Sequence, residues 1–195
     1  RVAALGEGGP ALELCVLRLE PFFRRLGGAW LVMGREKGLD LELDLKESPA
    51  VLVADEHLLE RLFSNLVLNA VAQVAPGGRI GVRVSIPSAG RVRISVSDDG
   101  PGMPETVKEA LAGRCPGGEP EGEAPGEVPR GSREAAGARS AGTGIGLAFC
   151  RLACTLHGGA LWAEDVPAGG TAVHVELPMN LVPSGSGLLD VPREQ

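Results

Sequence analysis

Two neighbouring segments alternate between apolar and polar residues, and this alternation limits the possible folds more than any other feature of the chain. The apolar positions are Ile80, Val82, Val84 and Ile86 in the first segment and Val92, Ile94 and Val96 in the second. Side chains alternate between the faces of a strand, so the segments and the turn-forming residues 87–90 between them predict an antiparallel hairpin. Its other face carries Arg79, Arg83, Arg91 and Arg93. Such a charged face is typical of a solvated surface.

Helical spacing dominates the segment before this hairpin. Residues 12–37 mix Leu, Phe, Trp and Met with Arg and Glu, and are interrupted by Pro21 and by Gly27-Gly28. We expect a strand or short helix first, and then a helix that ends near Gly38. Residues 39–46 alternate leucine with charged residues, which predicts a strand with one wet face.

Asp55 is a candidate N-cap for a long helix that follows a short predicted strand at residues 51–53. Apolar residues recur at four-residue spacing from Leu58 to Val74. The Pro76-Gly77-Gly78 stretch is typical of the end of a helix.

The remaining chain contains one long segment with almost nothing to bury. Residues 112–141 are mostly Gly, Pro, Ala, Glu and Arg, which predicts a flexible loop. A helix is expected from about residue 144 to 157, followed by strands near 160–164 and 171–177. We expect the tail at 179–195 to fray.

Charge and hydropathy argue against two kinds of partner. The net charge of −6 disfavours nucleic acid, which requires a clustered basic surface. No run approaches the roughly 20 apolar residues that span a bilayer, so we expect a cytoplasmic segment without membrane contact.

The cysteines lack the spacing of a disulfide scaffold or a complete metal site, and we expect them to be reduced. Cys150 and Cys154 are expected to fill the core.

A row of polar residues is set into the Asp55 helix. Arg61, Asn65, Asn69 and Gln73 recur at four-residue spacing. Apolar residues surround the two asparagines, which are costly to bury unpaired, so the row indicates a cavity with a ligand or metal. Taken alone, the row is equally compatible with asparagines that hydrogen bond to neighbouring backbone.

Two glycine-rich stretches are candidates for ligand binding. Asp98-Asp99-Gly100-Pro101-Gly102-Met103 follows the second hairpin strand. Its glycines would let the backbone approach a flat ligand, and a carboxylate can accept from an exocyclic amine, although a simple turn has the same composition. Gly142-Thr143-Gly144-Ile145-Gly146-Leu147 precedes a helix whose free N–H groups favour phosphate. It lacks both the preceding strand of a dinucleotide fingerprint and the Gly-Lys-Ser/Thr of a P-loop.

The order and spacing of these three stretches are more specific than any one of them. Residues 65–70, 98–103 and 142–147 resemble the N, G1 and G2 boxes of the histidine kinase ATPase superfamily, which also contains gyrase and the heat-shock chaperone ATPases. His157-Gly158-Gly159 and Gly169-Gly170-Thr171 are similar to the way these kinase domains end. The resemblance covers roughly residues 12–178. It points to the ATP-binding catalytic domain of a bacterial sensor histidine kinase, without the helical hairpin that carries the phosphorylated histidine.

The resemblance implies a role for each matching residue. Asn69 would be the Mg²⁺ ligand, and Asn65 would lie beside the phosphates of ATP. Asp98 would accept from the adenine amino group, with Thr171 supporting it through a hydroxyl or a water. The remaining nucleotide contacts would be Gly100, Gly102, Met103, Gly142, Thr143, Gly144, Ile145, Gly146 and Leu147. Residues 112–141 would be the ATP lid.

Two features depart from the kinase pattern. Ala72 and Gln73 stand where these kinases often have a basic residue and an aromatic residue. No Phe occurs between Met103 and Gly142, although an aromatic box is typical of the lid.

The resemblance implies a Bergerat-type fold, a two-layer α/β sandwich with a mixed sheet, helices on one face and ATP between the helices and the lid. The domain would span residues 1–178. Its reaction would be transfer of the γ-phosphoryl of Mg-ATP to a histidine on a separate hairpin, with a response regulator as a further partner. His57, His157 and His174 lack the hairpin context of a phosphoacceptor. Family members usually dimerise through that hairpin, so we expect a monomer.

Two other functions stay open at the level of sequence. Superfamily ATPases and protein-serine kinases usually carry Glu where Asn65 stands, and without a carboxylate at that position we expect slow hydrolysis. A degenerate nucleotide-binding or partner-docking module without turnover is the second alternative, and the composition of the lid is its main support.

Overall fold

The computed structural model describes residues 2–4, 12–46, 51–112 and 145–179, with backbone alone for residues 2–4 and Ile145. In chain order the elements are β1 (Val2–Ala4), β2 (Leu12–Leu17), α1 (Leu19–Glu36), β3 (Asp40–Asp44), β4 (Leu52–Asp55), α2 (Glu56–Gln73), β5 (Arg79–Ser88), β6 (Arg91–Asp98), α3 (Glu105–Leu111), α4 (Ile145–Leu156), β7 (Ala160–Asp165) and β8 (Thr171–Pro178).

The described strands form two sheets. The larger sheet has the order β3-β5-β6-β8-β7, and it is mixed because β3 runs parallel to β5 while the other neighbours are antiparallel. The smaller sheet, β1-β2-β4, is antiparallel and was not anticipated from the sequence. The expected α/β fold with a mixed sheet and helices is confirmed.

The predicted hairpin is present as β5 and β6, with Val82 opposite Val96 in an antiparallel register. The inward valines and isoleucines of both strands are almost inaccessible to solvent, except Ile86 near the turn. The outward arginines pair with carboxylates of neighbouring strands: Arg79 with Asp40 at 3.8 Å, Arg83 with Asp44 at 3.2 Å, and Arg93 with Glu176 at 2.8 Å. The charged face of the hairpin is therefore a solvated, ion-paired surface, as predicted.

The apolar face of the larger sheet shares one continuous hydrophobic core with the helices. Phe23 and Phe63 join α1 to α2 in an edge-to-face contact with ring centroids 5.0 Å apart. Cys150 and Cys154 of α4 are fully buried, which raises the pKa of each thiol to about 12. Both cysteines fill the core, as expected.

The N-terminus of α2 is capped as predicted. The side chain of Asp55 accepts a hydrogen bond from the backbone N–H of Leu58 at 3.1 Å. This contact satisfies one of the N–H groups that have no acceptor within the helix. The helix ends at Gln73, and Val74 is extended.

The expected order of a strand and then a helix that ends near Gly38 is confirmed, because β2 is followed by α1, which is continuous from Leu19 to Glu36. Pro21 lies in the first turn, where its missing N–H would have had no helical partner. Gly27 is buried against β3, and a β-carbon at Gly27 would overlap the side chain of Leu43. Close packing of α1 on the sheet therefore outweighs the weak helix propensity of glycine.

Helix α3 was not predicted from the sequence. It has only seven residues, and among them only Leu111 is classed as buried, so hydrophobic periodicity could not indicate it. Of the predicted lid, the described part of the chain includes Ala112 alone. The remainder of the lid, and the tail beyond Met179, lie outside the described residues.

Candidate nucleotide-binding site

The polar row of α2 lies at the boundary between the core and solvent. Asn65 and Asn69 are partly buried, whereas Arg61 and Gln73 are exposed. Their apolar neighbours on the inner face of the helix belong to the core: Leu62, Leu66, Val67, Ala70 and Val71. The two amides therefore lie at the edge of the buried face of α2.

Three contacts show that α4 packs antiparallel to α2. A methyl group at Gly146 would lie 3.8 Å from Cγ of Asn65. One turn further along α4, the thiol of Cys150 donates to the carbonyl of Leu62 at 3.5 Å. Beyond its C-terminal end, Nε2 of His157 accepts from the backbone N–H of Asp55 at 2.9 Å. The first turn of α4, whose N–H groups have no acceptor within the helix, therefore lies beside Asn65.

Asp98 is the last residue of β6 and lies opposite Thr171 of β8. Its carboxylate accepts from the backbone N–H of Gly100 at 2.9 Å and from that of Thr171. Burial raises the pKa of the Asp98 carboxyl above its ordinary value, although these two hydrogen bonds oppose the rise. A half-buried carboxylate at a strand end can accept a hydrogen bond from an amino group of a ligand.

The backbone around Asp98 consists largely of glycines, which have no side chains. Gly170 has φ +96°, and a β-carbon there would overlap the carbonyl of Asp98. Gly102 has φ +86°, and a β-carbon at this position would lie 4.0 Å from the carbonyl oxygen of Gly170. Gly100 lies against the C-terminal end of α2, where a β-carbon would be 3.6 Å from the carbonyl of Gln73. Gly170 and Gly100 thus allow a close approach of backbone around Asp98, and the absent side chain of Gly102 leaves room for a flat group nearby.

The candidate residues are therefore distributed along α2. The Asp98–Gly102 turn adjoins its C-terminal end at Gln73, whereas α4 begins beside Asn65. These two positions on α2 are separated by about 12 Å, with Asn69 midway. Asn65 therefore lies next to the start of α4, and Asn69 lies between it and the turn that contains Asp98.

The remaining predicted residues are placed as follows. Met103 and Leu147 are partly buried and pack against the core. Gly142, Thr143, Gly144 and the side chain of Ile145 lie outside the described residues. Sequence analysis assigned no site role to Gly170, which lies against Asp98. Asp99 has a structural contact instead, because its side chain accepts from the backbone N–H of Arg79 at 2.8 Å. A second glycine next to Thr171 was the available signal for Gly170.

The three histidines have different surroundings. His157 donates from Nδ1 to the carbonyl of Ala153 at 2.7 Å and accepts at Nε2 from the backbone N–H of Asp55 at 2.9 Å. His174 lies on β8, where its Nδ1 is 2.8 Å from the hydroxyl of Ser95 and burial lowers its pKa. His57 is exposed at the start of α2.

The donor set suits a cation shared with phosphate. Within the described residues, no group of three His, Cys, Asp or Glu side chains could hold a metal ion. Asn69 offers one amide oxygen, and Mg²⁺ commonly takes one or two protein oxygens together with substrate phosphates.

Among the described helices, none is long and apolar enough to cross a membrane.

Residues 54–181 match the family model described as histidine kinase-, DNA gyrase B-, and HSP90-like ATPase. The chain is 31% identical over 144 residues to the adaptive-response sensory kinase SasA of Crocosphaera subtropica, covering 74% of this chain and 34% of SasA. It is 34% identical over 166 residues to the signal transduction histidine-protein kinase/phosphatase MprB of Mycobacterium sp., covering 83% of this chain and 29% of MprB. The chain thus spans about a third of the length of these curated relatives.

Solved structures show the same fold. The nucleotide-free catalytic domain of the histidine kinase ThkA superposes with a TM-score of 0.66 at 24% identity, covering 86% of this chain and 97% of that domain. ThkA in complex with the response regulator protein TrrA gives a TM-score of 0.65 at 21% identity, covering 88% of this chain and 43% of that chain. The family match extends over more than half of the chain, from β4 beyond β8, and the chain belongs to the histidine kinase-, DNA gyrase B- and HSP90-like ATPase family.

Proposed function

We propose that this chain binds Mg-ATP along α2 and transfers the γ-phosphoryl group to a histidine on a separate helical hairpin, as a protein-histidine kinase. The observation that carries the proposal is the arrangement along one helix, with the Asp98 turn at one end and the start of α4 beside Asn65. This order suits a ligand with a flat, amine-bearing base at one end and an anion at the other.

At the base end, Asp98 accepts a hydrogen bond from the adenine amino group. Its carboxylate is already held by backbone N–H groups of Gly100 and Thr171, so it is oriented before the ligand arrives. Gly100 and Gly102 leave the ring space, and Met103 offers it an apolar surface.

At the phosphate end, the carboxamide oxygen of Asn69 binds Mg²⁺, and Asn65 contacts the phosphates one turn away. The cation held there would neutralise charge on the phosphates. The N–H groups at the start of α4, together with Gly142, Thr143, Gly144, Ile145, Gly146 and Leu147, cradle the triphosphate.

The acceptor nitrogen of the histidine forms the new bond to the γ-phosphorus while the bond to the β,γ-bridging oxygen breaks, and ADP leaves with that oxygen. The chain contributes position and charge neutralisation rather than a base. The carboxamide at Asn65 cannot take a proton from water, so we propose that the bound ATP hydrolyses slowly.

The partners that follow are the acceptor hairpin and a response regulator. The complex of ThkA with TrrA supports the second partner by analogy. We place the reaction in the cytoplasm, with this domain as a monomer that binds neither nucleic acid nor membrane.

The test incubates the purified chain with γ-labelled ATP, with and without a cognate histidine hairpin, and measures free phosphate and acid-labile protein phosphate separately. We expect very slow phosphate release, no autophosphorylation, and hairpin phosphorylation that Asn69→Ala abolishes. Rapid Mg²⁺-dependent phosphate release by the chain alone would favour the ATPase. Nucleotide binding without either activity would favour a degenerate module.

A further inference from the structure

Arg61 occupies the same face of α2 as Asn65, one turn closer to the N-terminus. Its guanidinium carbon lies 4.1 Å from the ring centroid of Phe149 on α4. The residue is exposed, and none of the roles assigned above involves it. Arg61 therefore has a defined position beside the phosphate end of the proposed site without an assigned function.

The charge balance around Arg61 differs from that of several cations on the helices and the larger sheet. Arg25, Arg83 and Lys108 each lie within 3.2 Å of a carboxylate. In the part of the chain that the structure describes, Arg61 has an aromatic ring for a partner and no ion pair. Its charge is thus available to an anion.

Stacking also determines which part of the guanidinium is free. A ring that packs on the face of the guanidinium leaves the N–H groups at its edge able to donate. These donors form a planar fork that matches two oxygens of one phosphoryl group. Phe149 therefore orients the fork and lowers the entropy lost when it binds an anion.

The direction of α2 indicates which phosphate is within reach. The row runs from Gln73 beside the Asp98 turn, through Asn69 and Asn65, to Arg61. A nucleotide with its base at Asp98 thus has its terminal phosphate nearest Arg61. Four residues, about 6 Å along the helix axis, separate Arg61 from Asn65, and a long arginine side chain can span that distance.

We propose that Arg61, held against Phe149, donates to the γ-phosphoryl oxygens of bound ATP and makes the site prefer ATP to ADP. This inference rests on the proposed function. Mg-ATP carries a γ-phosphoryl group that ADP lacks, so removal of the fork weakens binding of the triphosphate selectively.

The test compares dissociation constants for ATP and ADP in the presence of Mg²⁺. Arg61→Met retains an apolar stem against Phe149, and we expect ATP to bind about five- to tenfold more weakly while ADP binding changes by less than about twofold. Arg24→Met is the matched control, because Arg24 is also exposed on a helix but pairs within α1 with Glu20. It should leave both constants unchanged.

Phe149 provides an independent test of positioning. Phe149→Leu removes the aromatic face but keeps an apolar side chain, and should lower the preference for ATP over ADP by about two- to fivefold. Phe149→Tyr keeps the face and should restore the preference. Equal loss of ATP and ADP binding in Phe149→Leu, or no rescue by Tyr, would contradict the positioning role.

The outcomes separate this inference from the proposed function. A wild-type chain that binds neither nucleotide would refute both. A wild-type chain that binds both, with the same ATP preference in Arg61→Met, would overturn the inference alone. Unchanged nucleotide binding with slower phosphorylation of a supplied hairpin would overturn it in favour of a role in docking that partner.

Discussion

Asp98 is subject to two opposing effects at the scale of a single residue. Burial disfavours its charged form and raises its pKa, whereas the backbone N–H groups of Gly100 and Thr171 favour the charged form. A partly desolvated carboxylate is a strong acceptor for a ligand that supplies another donor. Burial therefore opposes ionisation of the Asp98 carboxyl in the free protein, and it strengthens the hydrogen bond that this carboxylate accepts from a bound amino group.

Replacement of Asp98 by Asn tests the base contact. The variant can present an amide N–H towards the adenine amine, so loss of the charge-assisted bond should weaken ATP binding by about 1.5–3 kcal/mol. Asp99→Asn is the control, because it keeps an oxygen for the N–H of Arg79 and should bind ATP normally. Titration with a fluorescent ATP analogue measures both variants. Equal affinity of Asp98→Asn and wild type would disprove the adenine contact.

The raised pKa of Asp98 predicts how stability depends on pH. Because the folded pKa exceeds the unfolded value of 3.8, the unfolded state loses its proton first as pH rises. The carboxyl of Asp98 therefore makes a growing unfavourable contribution between pH 3.8 and its folded pKa, and a constant one above. Relative to wild type, Asp98→Asn should gain stability as pH rises through this window. Urea denaturation of both proteins from pH 4 to 7 checks the sign, and a difference that falls with pH would contradict it.

At the scale of elements, Asp55 joins three parts of the fold. Its side chain accepts from the backbone N–H groups of Leu58 on α2 and Glu13 on β2. Its own N–H donates to His157, which follows α4. These hydrogen bonds fix the N-terminus of α2 relative to α4, and hence the alignment of Asn65 with Gly146.

Loss of the His157 contact should loosen this junction. His157→Ala leaves the N–H of Asp55, a residue only 6% exposed, without its acceptor, and the free energy of unfolding should fall by about 1–3 kcal/mol. His57→Ala is the control, because its exposed side chain should change stability by less than about 0.5 kcal/mol. Urea denaturation at pH 7.5 measures both. Equal stability of the two variants would show that the hydrogen bond contributes nothing net.

Helix α1 contains two adjacent glycines with different surroundings. Gly27 is packed against Leu43, whereas a β-carbon at Gly28 would meet nothing within 4 Å. Gly28→Ala should therefore increase the free energy of unfolding by about 0.5–1 kcal/mol, since alanine restricts the unfolded chain and favours the helix. Gly27→Ala should gain less, because Leu43 must move. Thermal denaturation compares the variants, and a greater gain at Gly27 would contradict the packing of α1 on β3.

At the scale of the whole molecule, a ligand that contacts α2, α4 and the Asp98 turn should stabilise the fold. At about 100 times its dissociation constant, Mg-ATP should add about 2.7 kcal/mol to the free energy of unfolding. Chelation of Mg²⁺ should remove a large part of this gain in stability, and so should Asn69→Ala. Chelation of Mg²⁺ in the Asn69→Ala variant should remove no more of the gain than either change alone. Thermal melts with ATP, with and without Mg²⁺, test this. An undiminished Mg²⁺ effect in Asn69→Ala would exclude Asn69 as the ligand.

The sequence by itself determined the elements whose signals are local. Alternation identified β5 and β6, and the capping residue Asp55 marked the start of α2. The polar row of α2 and the glycine-rich stretches were recognisable for the same reason. Each signal depends on residues that are neighbours along the chain, where helix and strand geometry relate spacing directly to a face.

Only the tertiary structure decided what those faces contact. Periodicity cannot reveal that the side chain of Leu43 packs against Gly27. It also cannot reveal that α3 forms although Leu111 is its main buried residue, or that the guanidinium of Arg61 lies over the ring of Phe149. The N–H of Asp55 meets His157 across 102 positions of the chain. Such contacts form because several elements bury their apolar faces together, and the resulting alignment of α2 with α4 depends on packing that no single segment encodes.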